Sequence, residues 1–203
     1  MQPFIRLTAT AAPLMRDNID TDAIIPSREI KSVSKTGLAD GLFAGWRYTA
    51  QGGRDPDPTF VLNQPTYAGA RILVAGANFG CGSSREHAAW AMAEYGFRVV
   101  VAPSFNPIFR NNCILNGMVP AVVPAEAAAA IAEAVSSADP TLTVDLAACA
   151  IRRPDGATWT FIIDAEAREM LLEGLDAIAL TLKQADRIRA LRAQDALERP
   201  WVY

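Results

Sequence analysis

The chain has 203 residues, 51% of them hydrophobic and 20% charged, which suits a folded protein with one packed core and is short for two. Nineteen Lys and Arg against 22 Asp and Glu leave a formal charge of -3, with no basic cluster to track a phosphate backbone, so nucleic acid is excluded as an expected partner. The start, Met1-Gln2-Pro3-Phe4-Ile5-Arg6, lacks the basic and apolar parts of a secretory signal, and no apolar run reaches bilayer length; a cytoplasmic protein is expected.

Taken in order, the sequence predicts a short strand at Phe4 to Ala9, then an acidic turn, Arg16-Asp17-Asn18-Ile19-Asp20-Thr21-Asp22, followed by Ala23-Ile24-Ile25-Pro26. Residues 27–69 gather Gly, Asp, Lys and Pro and read as one long loop, functional or mobile. Arg71-Ile72-Leu73-Val74-Ala75 is a continuous apolar run of strand length, Ala88 to Tyr95 is a helix closed by Gly96, and Arg98 to Ala102 is a second buried strand. Together they form a βαβ unit with the usual right-handed crossover. Ser104 is expected to cap a shorter helix ended by Asn116-Gly117, with strand residues at Ala121-Val122-Val123 beyond it. A helix over Glu126 to Ser136, a strand at Leu142 to Asp145, and a pairing of Ala150 to Arg152 with Trp159 to Ile163 across Pro154-Asp155-Gly156 continue the α/β alternation. Helices at Ala165 to Glu173 and Lys183 to Ala196 end the chain, and no composition change marks a second domain.

Cys81, Cys113 and Cys149 are too widely spaced for a C-x-x-C metal site and odd in number for a disulfide framework, so free thiols and no metal site are expected. His87 is the single histidine, which removes every mechanism that needs a set of imidazoles. The chemistry therefore centres on Asn78-Phe79-Gly80-Cys81-Gly82-Ser83-Ser84-Arg85-Glu86-His87, a glycine-rich turn between a buried strand and a helix. Amides at such a helix start attract anions, and the Arg85 guanidinium matches a carboxylate with two parallel donors. A plain capping box, Ser83-x-x-Glu86, explains the same residues without any ligand. A dinucleotide fingerprint fails because Arg85 stands at the third glycine position, a P-loop fails for want of Gly-Lys-Ser/Thr, and neither Ser83 nor Ser84 has the flanking glycines of a nucleophile elbow.

Asp17 to Pro26, Gly76 to Ala88, and Ser104-Phe105 through Asn112 to Pro120 resemble successive blocks of the isopropylmalate dehydratase small subunits. Gly41-Leu42-Phe43 with Trp46-Arg47, Phe60 to Asn63 and Gly174-Leu175-Asp176 extend the likeness over nearly the whole chain. The Ser-Arg block is shared across the aconitase superfamily, so the resemblance implies an α/β fold of the swivelling β/β/α type. That is a layered sheet with flanking helices and a long substrate-side loop, in a single domain over 1–203 that ends in a C-terminal helix and tail at 183–203.

The resemblance further implies a hydro-lyase that interconverts 2- and 3-isopropylmalate through the alkene, in leucine biosynthesis. Its [4Fe-4S] cluster would be held by a partner large subunit and not by this chain. Ser83 is then the catalytic base, with Ser84 and Arg85 binding the diacid substrate. The 27–69 loop is expected to govern substrate choice, and its Arg28, Lys31 and Lys35 are candidates to meet the distal carboxylate, while Asp20, Asp22 and His87 have no settled role. Two departures from the usual family form, Pro26-Ser27-Arg28-Glu29-Ile30 and Ala89 before Trp90, leave open a paralogous enzyme for methylmalate or citraconate. A non-catalytic anion-binding module is the remaining alternative.

Overall fold

The computed structural model describes residues 1–31, 34–137 and 139–202. Strands β1 (Arg6–Leu14), β2 (Ile72–Ala75), β3 (Val99–Ala102) and β4 (Val119–Val122) lie side by side and parallel. Helices α3 (Glu86–Tyr95) and α4 (Pro107–Leu115) carry the chain from β2 to β3 and from β3 to β4, which realises the expected βαβ unit. The apolar runs are continuous because both faces are covered. Ile72, Val74, Val99 and Val101 enter one core, under α5 (Ala125–Ser137), while Leu73, Ala75, Val100 and Ala102 enter a second, beneath α3 and α4. Pro120 is tolerated in β4 because that strand is at the edge of the ladder, where a missing N–H removes no bond.

The other half of the sheet is antiparallel. β1 also pairs with β5 (Thr141–Asp145), followed by β6 (Ala150–Arg152) and β7 (Thr158–Thr160), giving the order β4-β3-β2-β1-β5-β6-β7. Here only one face is covered, and the residues alternate: Leu142 and Val144 point into the core while Thr143 faces out to meet Thr8 at 2.8 Å. Ile162, just past β7, exchanges backbone bonds with Val122 at 2.8 and 3.2 Å, so the curled sheet meets itself across its two outer strands.

Several elements differ from the sequence reading. β1 runs to Leu14 because its second half is sandwiched between β2 and the core, a tertiary demand that outweighs the weak strand preference of an Ala-rich segment containing Pro13. Residues 27–69 are not one unstructured loop. They hold α2 (Ala44–Arg47) and 3-10 turns at 27–29, 39–41, 61–63 and 65–67, and a preceding helix, α1 (Thr21–Ile24), leads into them. Leu38, Leu42, Phe43, Phe60, Leu62 and Tyr67 are all buried there, and the Phe43 and Trp46 rings stack at 5.9 Å. The cap of α4 is Asn106, whose Oδ1 accepts from the amides of Ile108 and Phe109, with Pro107 at the first helical position. Ser104 instead accepts from the Asn78 amide. After α6 (Ala165–Glu173) an unpredicted helix, α7 (Ala177–Leu182), precedes α8 (Ala185–Glu198). No helix among the described residues is long and apolar enough to cross a membrane.

Candidate active site

Because β1 to β3 are parallel, the segments that follow them emerge at the same edge of the sheet. The turn after β2 is stitched to the one after β1 by Asn18 N to Ala77 O (2.8 Å), Gly80 N to Ile19 O (2.7 Å) and Thr21 N to Cys81 O (2.9 Å). On its other side, Phe79 N donates to Ser104 O at 3.0 Å and Asn106 N to Phe79 O at 2.9 Å. The glycine-rich turn is thus the middle member of three extended segments. Glycine is required at 80, where φ is +75° and a Cβ would lie 2.1 Å from the Phe109 ring.

Downstream of that turn, Ser83 and Ser84 are exposed, and neither hydroxyl has a hydrogen-bond partner among the described residues. Thr21 Oγ1 holds the Ser83 carbonyl at 2.9 Å. Arg85 is the N-cap of α3 but supplies no side-chain cap; its Nη1 reaches across to Asp22 Oδ1, which also accepts from Ser27 Oγ at 3.3 Å. The capping box does not form, since Glu86 is already helical and its Oε1 accepts from Trp90 Nε1 at 3.0 Å. The first-turn amides of α3 are therefore left without a side-chain acceptor beside two free hydroxyls and a guanidinium, a setting suited to an anion. Thr21, Asn106, Ile108 and Asn112 complete the small cleft around Ser83 to Arg85.

The structure brings Ser83, Ser84 and Arg85 together and puts Asp22 with them, a neighbour the sequence left undecided. Asp20 is engaged as the cap of α1, accepting from the Ala23 amide at 2.7 Å. His87 packs on Trp90 at 4.7 Å, with Nε2 buried and unpartnered. Of the loop cations, Arg28 lies 3.5 Å from the buried Glu29 carboxylate, Lys35 sits 4.9 Å over the Trp90 ring, and Lys31 is exposed. None of the three lines the cleft. The residues missed in sequence were Asn106, as cap and wall, and Ile108, half-exposed at the cleft. Their signal was the recurrence of strand, turn and helix after β3, beside the same pattern after β2.

The described residues do not assemble the ligands of an iron-sulfur cluster. Among the described residues no three His, Cys, Asp or Glu side chains gather as a metal-binding set. Cys81 is beside the cleft, but Cys113 is fully buried, where desolvation pushes its thiol far up, away from the thiolate a cluster needs. Cys149 lies in the turn before β6, with Sγ directed to Leu146 O at 3.5 Å.

Comparison with known proteins agrees with this architecture. The model of the aconitase C-terminal domain family matches residues 1–126, and that of LeuD_N matches residues 130–165. A 3-isopropylmalate dehydratase small subunit from Cupriavidus necator is 57% identical over 205 residues, covering 100% of this chain and 99% of that one. One from Rhodospirillum centenum is 50% identical, with 99% and 98% covered. The crystal structure of 3-isopropylmalate dehydratase from Methanocaldococcus jannaschii superposes with a TM-score of 0.67 at 26% identity, covering 92% of this chain and 99% of that one. By sequence over its full length and by fold, the chain belongs to the family of 3-isopropylmalate dehydratase small subunits, built on the aconitase C-terminal domain.

Proposed function

We propose that this chain is the small subunit of a cytoplasmic 3-isopropylmalate dehydratase of leucine biosynthesis and supplies half of its active site. The observation that carries this reading is the turn at Ser83 to Arg85, in which two unpartnered hydroxyls stand beside a guanidinium in a chain that matches that family end to end. Arg85 takes a substrate carboxylate on the guanidinium that now contacts Asp22. Ser83 Oγ accepts the proton from the carbon next to a carboxylate, the hydroxyl leaves the neighbouring carbon, and the electron pair of the broken C–H bond becomes the alkene. Returning the proton and a hydroxyl to the opposite carbons gives the isomer. The first-turn amides of α3 and the Arg85 charge oppose the cost of an anionic serine. Ser84 supplies a further substrate contact.

A partner large subunit, with a [4Fe-4S] cluster that would supply the Lewis acid for the departing hydroxide, follows from the family relationship. Residues 27–69 are assigned to the variable part of the substrate, with Arg28, Lys31 and Lys35 as candidates for its distal carboxylate. The fold is read as a single domain over 1–203. The test is to purify the chain with its cognate large subunit, look for brown, iron-containing material, and compare turnover of 3-isopropylmalate with that of methylmalates. Activity confined to methylmalates would replace this substrate by a paralogous one, and no activity on either would reject the enzyme reading.

A further inference from the structure

One face of α3 presents Glu86, Trp90 and Glu94 at successive i, i+4 positions, a stripe that begins beside Arg85 and ends about 14 Å away along the helix axis. Each member is engaged. Glu86 holds the Trp90 indole N–H, and the Trp90 ring lies under Lys35 Nζ at 4.9 Å. The Glu94 carboxylate accepts from three consecutive amides, Gly37 (2.6 Å), Leu38 (2.5 Å) and Ala39 (2.9 Å). Such a cluster of backbone N–H groups is an anion nest, and Gly37 at φ +84° gives the turn that aims them. Desolvation pushes the Glu94 carboxyl up, and the three amides more than reverse this, leaving it below the usual range. Tyr95 adds a further hold: Arg47 stacks on it at 4.9 Å and donates to Ala39 O at 3.0 Å.

We propose that Glu94 is a positioning residue for substrate discrimination, tying residues 34–40, and Lys35 with them, to the same helix that carries Arg85 at its start. This rests on the reading above that residues 27–69 meet the variable part of the substrate. A single rigid helix then fixes the distance between the carboxylate clamp and the segment that judges the side chain. Glu94 touches no reacting atom; it acts through the loop it holds.

The experiment uses the reconstituted two-subunit enzyme with Glu94→Gln, Glu94→Asp and Gly37→Ala. The last variant strains the nest through its φ without meeting any neighbour, so it tests the same contact from the other side. Amide hydrogen exchange over residues 36–40 reads the anchor, and the ratio of kcat/KM for 3-isopropylmalate over a methylmalate reads discrimination. Glu94→Gln and Gly37→Ala are expected to speed exchange about tenfold or more, because charge-assisted bonds are lost or weakened. The ratio should fall about fivefold, through KM with kcat kept within about twofold, and Glu94→Asp should recover most of it. Unchanged exchange, or faster exchange with an unchanged ratio, would overturn the proposal. Loss of discrimination in the unmodified enzyme would instead reject the reading on which it rests.

Discussion

Gly80 shows how little freedom the glycine-rich turn has. Its φ of +75° disfavours any L side chain, and a methyl group would drive into Phe109, a residue of α4 packed on the Phe79 ring at 5.4 Å. Gly80→Ala is expected to cost about 2–4 kcal/mol, read as a lower midpoint in urea unfolding. Replacing Ser83 by Ala leaves no structural bond broken, since only its carbonyl is used, by Thr21. That variant should keep its unfolding midpoint and partner binding while kcat falls about a thousandfold or more; normal turnover would remove the hydroxyl from the reaction. Arg85→Lys should lower kcat/KM about a hundredfold, because a point charge cannot reproduce the fork. Ser83 and Arg85 were legible in the sequence because they share one local block with the turn that presents them. Asp22 was not, since its partner is 63 residues away and an acidic turn has the same appearance whether it is solvated or paired.

At the scale of elements, legibility followed burial. β2 and β3, covered on both faces, announced themselves as unbroken apolar runs, and Gly96 and Gly174 marked the ends of α3 and α6 as expected. Residues 38–67 did not, because their buried Leu and Phe are spaced by Gly, Asp and Pro with neither a 3.6 nor a 2.0 period. The join between the two halves of the sheet carries its own charge device. The buried Asp145 of β5 accepts two bonds from Arg6 of β1, at 2.6 and 3.1 Å, and one from the Ala148 amide at 2.9 Å. The Arg6 bonds and then the Ala148 amide hold its carboxyl below the usual range against the opposing effect of burial, with the Arg6 and Arg152 charges adding to them. A lowered folded value means that the contribution is complete above about pH 4, where the unfolded carboxyl is also ionised, and is lost as pH falls through the folded value. Asp145→Asn should therefore be less stable at pH 7, by about 1–2 kcal/mol, and should approach the unmodified chain as pH falls below about 4 in acid-dependent urea unfolding.

For the whole molecule, two cores lie on either side of one sheet, and the C-terminal arm adds to them through the partly buried Leu180 of α7. Neither α7 nor α8 has a buried residue, and Lys183, bridging Glu169 and Glu173, is the last side chain seen to tie the arm to α6. Removing residues 184–203 should leave the thermal midpoint of the isolated chain within about 3 °C, measured by circular dichroism; a larger fall would show that the arm supports the cores. The position of β1 has a different consequence, for the order of events on the ribosome. As the chain emerges, the parallel strands have only each other, and the flank of β1 that faces β5 waits until residue 145 has been made. Until then the nascent protein displays an open, hydrogen-bond-hungry flank at what will become the middle of its sheet. Contacts such as Arg6 with Asp145, 139 residues apart, cannot form until the chain between them has been made, an interval in which a chaperone can act.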